Sequence, residues 1–193
     1  MWMYLGLLAA LFLGLHNLCK KHAVQENEVF PVLLGTISSG FLFVAIFYGL
    51  TIFYPDYALE NGYNFQQISW KIHGFIFMKS AIMAASWILA YQALKHLPIT
   101  IFSVILYSRI GKQEGINFKR NKWIFAIIGA TFLGASSGLY DKFLIQNLSL
   151  NPQTLQFWFC LYTILILLVI LTITWFPYAE KRKAFKFRWS IIA

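Results

Sequence analysis

A lysine inside an apolar run is the first residue of this sequence whose type and position point to chemistry. Lys79 falls within the span of about Ile72 to Leu94, and a cation at the centre of a bilayer costs roughly 2.5–3.5 kcal/mol on insertion scales. Such a group needs a partner, a water-filled cavity, or a route for its head to snorkel to the outer headgroups. Trp87 and Tyr91 follow on the same helix at i and i+4, so they share a face that suits either stacking of a substrate or packing on lipid and helices. Asn17, Ser136 and Ser137 offer hydrogen bonds without a charge. Together with Lys79 these residues make up the candidate substrate or pathway set. His73, one and a half turns before Lys79, reads as interfacial, with a shared proton or substrate role as the alternative. His16 and Lys20 are four residues apart and share a face near one end of the first helix, a spacing that suits interface anchoring.

The same inventory excludes other chemistry. His16, His22, His73 and His96 show no HExxH spacing, no glycine-rich phosphate loop is present, and the acidic residues sit in loops and at helix ends, so no catalytic set, metal site or cofactor site is expected. Cys19 and Cys160 lie in or beside different apolar segments without a CxxC pair and read as packing residues. Lys+Arg 16 against Asp+Glu 7 is a basic balance, but the charges sit in clusters between apolar runs, which suits membrane topology and not nucleic acid.

The elements that must position these residues are membrane helices. Apolar residues make up 59% of the 193 positions and charged residues 12%, well outside the ordinary soluble range. The apolar residues fall in runs long enough for the ~20 helical residues a crossing requires. Full spans are expected at about Trp2 to Cys19, Phe30 to Phe53, Ile72 to Leu94, Trp123 to Leu144 and Thr154 to Phe176. The first lacks a basic n-region and a small-x-small cleavage site, so it reads as a helix and not a signal peptide. Leu97 to Ser108 reaches only about 18 Å as a helix, too short to cross. Trp189 to Ala193 looks like the first turn of one further helix. The fold class is therefore all-α, a polytopic transmembrane bundle of about five full spans plus a short fourth segment and a C-terminal stub.

The chain also carries an internal repeat. Ala10-Leu-Phe-Leu-Gly14 matches Ala130-Thr-Phe-Leu-Gly134, and Lys21, Asn27 and Pro31 are followed in the second copy by Lys142, Asn147 and Pro152 with one residue of slippage. Small residues recur at every fourth position, as Gly6, Ala10, Gly14 and as Ala126, Ala130, Gly134, Gly138, a pattern that lets membrane helices approach closely. Residues 1–108 form a first half, 109–122 a basic linker, and 123–193 the start of a second half. The positive-inside bias places the linker and the Lys181 to Arg188 cluster in the cytoplasm and the N-terminus outside. That orientation leaves an even number of crossings between Lys95 and Arg109, with only a dozen apolar residues to make them. Either this piece is re-entrant, or a segment of about thirty residues that would complete one helix and supply the next is absent near Ile105; absence is the expectation, and the stub at Trp189 to Ala193 points to truncation there as well.

Ser86-Trp-Ile-Leu-Ala-Tyr-Gln-Ala-Leu-Lys-His-Leu-Pro-Ile-Thr100, with the helix ends at Lys20-Lys21 and Gly138-Leu-Tyr-Asp-Lys142, resembles EamA-type transporters of the drug/metabolite transporter superfamily. That resemblance implies ten helices in two inverted halves, a departure from which falls after Val104-Ile105. It implies a secondary transporter of small organic metabolites or drugs in the bacterial inner membrane, with the lipid bilayer and a small solute as partners and a homo- or hetero-oligomer left open. A non-transporting fragment that docks on other helices through the Gly6/Ala10/Gly14 face is the alternative, and a membrane-embedded enzyme the second.

Overall fold

The computed structural model describes residues 2–25, 27–97, 121–177, 186–187 and 189–191. The short segment expected at 97–108 and the linker expected at 109–122 lie outside the described residues, apart from Leu97, Asn121 and Lys122.

Local chemistry sets where each helix starts and stops. α1 (Trp2–Val24) carries Lys21 and His22 in its last turn, where cations complement the helix dipole. α2 (Val29–Phe53) starts after Glu28, so a carboxylate sits at its positive end, and Pro31 occupies the first turn, where a missing N–H costs nothing. α3 (Pro55–Glu60) opens on a proline and carries Asp56 in its first turn. Gly62, at φ +77, supplies the left-handed residue that lets the chain turn away after it. α4 (Trp70–His96) ends where Leu97 turns extended, as a residue before proline must. α5 (Lys122–Gln146) is capped by Asn121, whose side chain accepts from the Trp123 N–H at 3.0 Å. α6 (Pro152–Thr174) is capped in the same way by Asn151 on the Gln153 N–H at 2.9 Å, with Pro152 in its first turn. Trp189–Ile191 forms a single 3-10 turn.

Five of these helices, α1, α2, α4, α5 and α6, are long and apolar enough to cross a membrane, and among the described residues there is no strand. The protein is an all-α, multi-pass integral membrane bundle. The spans agree with those read from the sequence to within a few residues. Between the second and third spans α3 is a short helix in a stretch whose polar residues, Asp56, Glu60, Asn61 and Gly62, read as a loop.

α4 is the centre of the bundle. It packs most extensively on α5 and then on α6, while α2 lies against the other side of α6. The two sequence halves therefore interleave. At one end, Ala93, Leu97, Ile124 and Ile127 bury one another between α4 and α5. Ile76, Leu144, Leu150, Leu155, Phe159 and Cys160 fill the opposite region, and a third cluster, including Val32, Leu33, Tyr91, Leu94 and Leu167, joins α2, α4 and α6.

Serines fasten the helices. The Ser86 hydroxyl donates to the Ala130 carbonyl at 2.7 Å, and its oxygen lies 3.5 Å from where a Gly134 Cβ would stand. The Ser80 hydroxyl donates to Ile76 O at 2.9 Å and reaches Phe159 O at 3.3 Å. The small-residue stripe of α5 is thus used at Ala130 and Gly134, while a Cβ on Gly138 would meet nothing within 4 Å. On α1 the stripe is open: Gly6 and Gly14 likewise meet nothing within 4 Å, and Ala10 is exposed. The close packing expected at Gly6, Ala10 and Gly14 is not made within the described chain, because α1 is held at its other end.

Candidate functional site

Two charges of α1 and α5 grip α4 at opposite ends. Lys21 Nζ donates to the carbonyls of Leu94 at 2.5 Å and Leu97 at 2.9 Å, satisfying acceptors that the last turn of α4 leaves without intrahelical donors. At the other end Lys79 Nζ lies 2.5 Å from Asp141 Oδ1. The contact is ionic and not an aligned hydrogen bond, for Asp141 Oδ1 has no hydrogen-bond donor. The Lys79 side chain is 6% exposed and that of Asp141 36%, so the pair reaches from the buried flank of α4 toward the bundle surface. Lys79 Nζ also stands 4.1 Å from the centroid of the Phe159 ring, a cation–π contact.

Phe159 connects that pair to a cavity of about 190 Å³ between α1, α2, α4 and α6. Its ring meets Trp87 edge-on at 5.8 Å, and both line the cavity with Tyr91. α1 contributes His16 and Lys20, α2 contributes Thr36, and α6 contributes Gln156 and Cys160. Lys20 Nζ is 5.6 Å from the centroid of the Tyr91 ring. The Thr36 hydroxyl is 3.0 Å from both Val32 O and Ile191 O, which ties the 3-10 turn to the cavity wall. Gln156 Nε2 donates to Cys160 Sγ at 3.3 Å, and Gln156 also lines a wider groove of about 390 Å³ between α2 and α6 with Phe47, Tyr63 and Phe65. The cavity is half open to the surroundings and largely apolar and aromatic with a few polar groups, the usual character of a small-molecule site.

The sequence-derived candidates divide accordingly. Trp87 and Tyr91 both line the cavity from the one face of α4 that their i, i+4 spacing gives them, and Lys79 reaches it only through Phe159. Ser137 is buried on α5 with its hydroxyl lacking a hydrogen-bond partner, whereas Ser136 donates back to Phe132 O at 2.9 Å. Asn17 is half-buried on α1 and, like both serines, is not among the residues lining the cavity. His16 and Lys20, read from sequence as interface anchors, are brought together in the cavity wall, and the i, i+4 spacing that puts them there was already visible. Cys160, which reads from sequence as a packing residue, also lines the cavity; Gln156 and Thr36 are additions, and the signal for Gln156 is an amide near the start of a largely apolar span. His73 Nδ1 lies 2.8 Å from the Tyr162 hydroxyl, with Trp158 edge-on at 4.6 Å, away from the cavity.

Above the start of α6 the segment after α3 is clasped down. Gln153 accepts from Asn64 N at 2.9 Å and donates to Gly62 O at 3.0 Å, Asn151 Nδ2 donates to Asn64 O at 2.8 Å, and Gln66 N donates to Thr154 Oγ1 at 2.8 Å. At the opposite end Asn27 makes a reciprocal pair with the Lys186 backbone at 2.8 and 2.9 Å, and His22 Nδ1 lies 2.9 Å from Ser190 Oγ. Among the described residues no group of three or more His, Cys, Asp or Glu is placed to hold a metal ion. No protein-family model, curated protein or solved structure matches the chain.

Proposed function

We propose that this chain moves small organic solutes across the membrane as an EamA-like secondary transporter, and that the cavity between α1, α2, α4 and α6 is its binding chamber. The observation that carries the reading is the composition of that cavity: aromatic walls from Trp87, Tyr91 and Phe159 with His16, Lys20, Thr36 and Gln156 as polar groups, between helices from both halves of the sequence. A helix bundle that served only as an anchor has no need of polar groups gathered in a half-open cleft between its helices. In this reading the end of the bundle bearing Lys21, Lys95 and Lys122 faces the cytoplasm of a bacterial cell, in line with the positive-inside bias, and the clasped segment at residues 62–66 lies outside.

Flux tests it directly. The purified chain in proteoliposomes is expected to accumulate or release a labelled solute from a panel of aromatic acids, amines and neutral amides, with the rate cut at least tenfold by Tyr91→Trp, which fills the cavity. Flux no greater than in protein-free liposomes across the panel would sink the reading and favour a non-transporting subunit.

A further inference from the structure

We infer that the cavity is selective for a small organic monoanion, an aromatic carboxylate whose charge meets Lys20 and whose ring lies among Trp87, Tyr91 and Phe159. This rests on the cavity being a solute site, the reading proposed above, and adds the class of solute.

The charge inventory around Lys20 leads there. An ammonium held among apolar walls is costly unless an anion or strong acceptors compensate it. Lys79 has Asp141, Lys95 has Glu28 at 3.3 Å, and Lys21 has two helix-end carbonyls. Among the described residues no carboxylate lies within ion-pairing distance of Lys20. The remaining described carboxylates, Asp56 and Glu60, belong to α3 at the far end of α2. Lys20 instead sits over the Tyr91 ring, 5.6 Å from its centroid, a contact that supplies no counter-charge and does not use up the three N–H donors of the ammonium.

The neighbouring groups narrow the ligand further. His16 stands one turn from Lys20 on the same wall, and Gln156 lines the cavity from α6; the Gln156 amide gives one N–H to Cys160 Sγ and has a second able to donate to a carboxylate oxygen. Among the described residues no acidic side chain lines the cavity, so an organic cation would meet only like charge from them. A single ammonium balances one negative charge and leaves a dianion such as a phosphate monoester half uncompensated. The space of about 190 Å³ suits a one-ring acid.

Equilibrium binding to the full chain in nanodiscs, with empty nanodiscs as blank, separates these possibilities using labelled benzoate, benzamide and benzylamine. Benzoate is expected to saturate and to bind roughly tenfold or more tighter than benzamide, the worth of one charge-assisted contact. Lys20→Gln is expected to abolish that preference while leaving benzamide binding in place, and Lys20→Arg to retain it. Retained benzamide binding also shows that the Lys20→Gln chain is folded. Equal binding of benzoate and benzamide, preference for benzylamine, absence of binding by all three, or an unchanged benzoate preference in Lys20→Gln would each overturn the inference. Benzoate binding without flux in proteoliposomes overturns transport and leaves the anion site standing, whereas flux confined to amines or neutral solutes does the reverse.

Discussion

Lys79 on α4 and Asp141 on α5 meet at 2.5 Å, joining the two sequence halves where both helices approach the same end of the bundle. Removing one partner leaves the other charge facing a low-dielectric interior, while removing both does not. Lys79→Met alone is therefore expected to destabilise the bundle by about 2 kcal/mol, below the ~3–5 kcal/mol of a fully buried pair because Asp141 keeps access to the surface. Lys79→Met with Asp141→Leu is expected to recover most of the loss. Reversible unfolding in mixed micelles measures the cycle, and strictly additive losses would show that the two side chains do not interact.

At the other end of α4 the relevant cation is Lys21. Its two bonds to Leu94 O and Leu97 O fix the last turn of the helix, a role distinct from that of its neighbour Lys20. Lys21→Met is expected to cost about 1–3 kcal/mol and to speed amide hydrogen exchange at Leu94, Lys95, His96 and Leu97. Lys20→Met is expected to leave exchange in that turn unchanged, since Lys20 points to Tyr91. Equal effects from the two variants would contradict the geometry.

How far the sequence reveals this arrangement depends on what each residue signals. Spans are legible because bilayer thickness forces long apolar runs, and α4 and α6 show it plainly. Trp87 and Tyr91 are legible as one face because a helix fixes their i, i+4 relation. The Lys79–Asp141 pair is harder, as it spans two helices whose adjacency no local pattern states. Depth gives a clue: Lys79 is about 14 Å into α4 and Asp141 about 8 Å from the end of the antiparallel α5, at 1.5 Å per residue, a gap that a flexible lysine spans. The small-residue stripes mislead in a different way. Their spacing marks a surface capable of close approach, but the partner is decided by tertiary packing, so Gly134 meets Ser86 whereas Gly14 meets nothing. α3 escapes notice because six residues are too few to show periodicity, though Pro55-Asp56 is a helix-start signal.

The clasp over α6 is a separate element with its own test. Gln153 both accepts from Asn64 N and donates to Gly62 O, so Gln153→Ala removes two ties between the segment after α3 and the start of α6. Protection of the 62–66 amides in hydrogen exchange is expected to fall about tenfold, matching the loss of roughly 1.4 kcal/mol from two partly exposed hydrogen bonds, with α4 and α5 unaffected. Unchanged protection would mean that Asn151 and Thr154 hold the segment without it.

The two halves of the repeat give the last prediction, because equivalent glycines stand in opposite surroundings. A Cβ at Gly134 would lie 3.5 Å from Ser86 Oγ, ordinary contact for alanine but no room for a branched side chain, and the Ser86 bond to Ala130 O depends on that closeness. Gly134→Leu is expected to push α5 from α4 and destabilise the bundle by about 1–3 kcal/mol, partly through overpacking and partly through the weakened interhelical hydrogen bond. Gly14→Leu adds a side chain on an open face and, since leucine favours helix over glycine, is expected to leave stability unchanged or raise it by up to ~1 kcal/mol. Thermal unfolding of the two variants side by side reads the difference. A Gly14→Leu loss as large as that of Gly134→Leu would place α1 in a packed interface that the described chain does not contain.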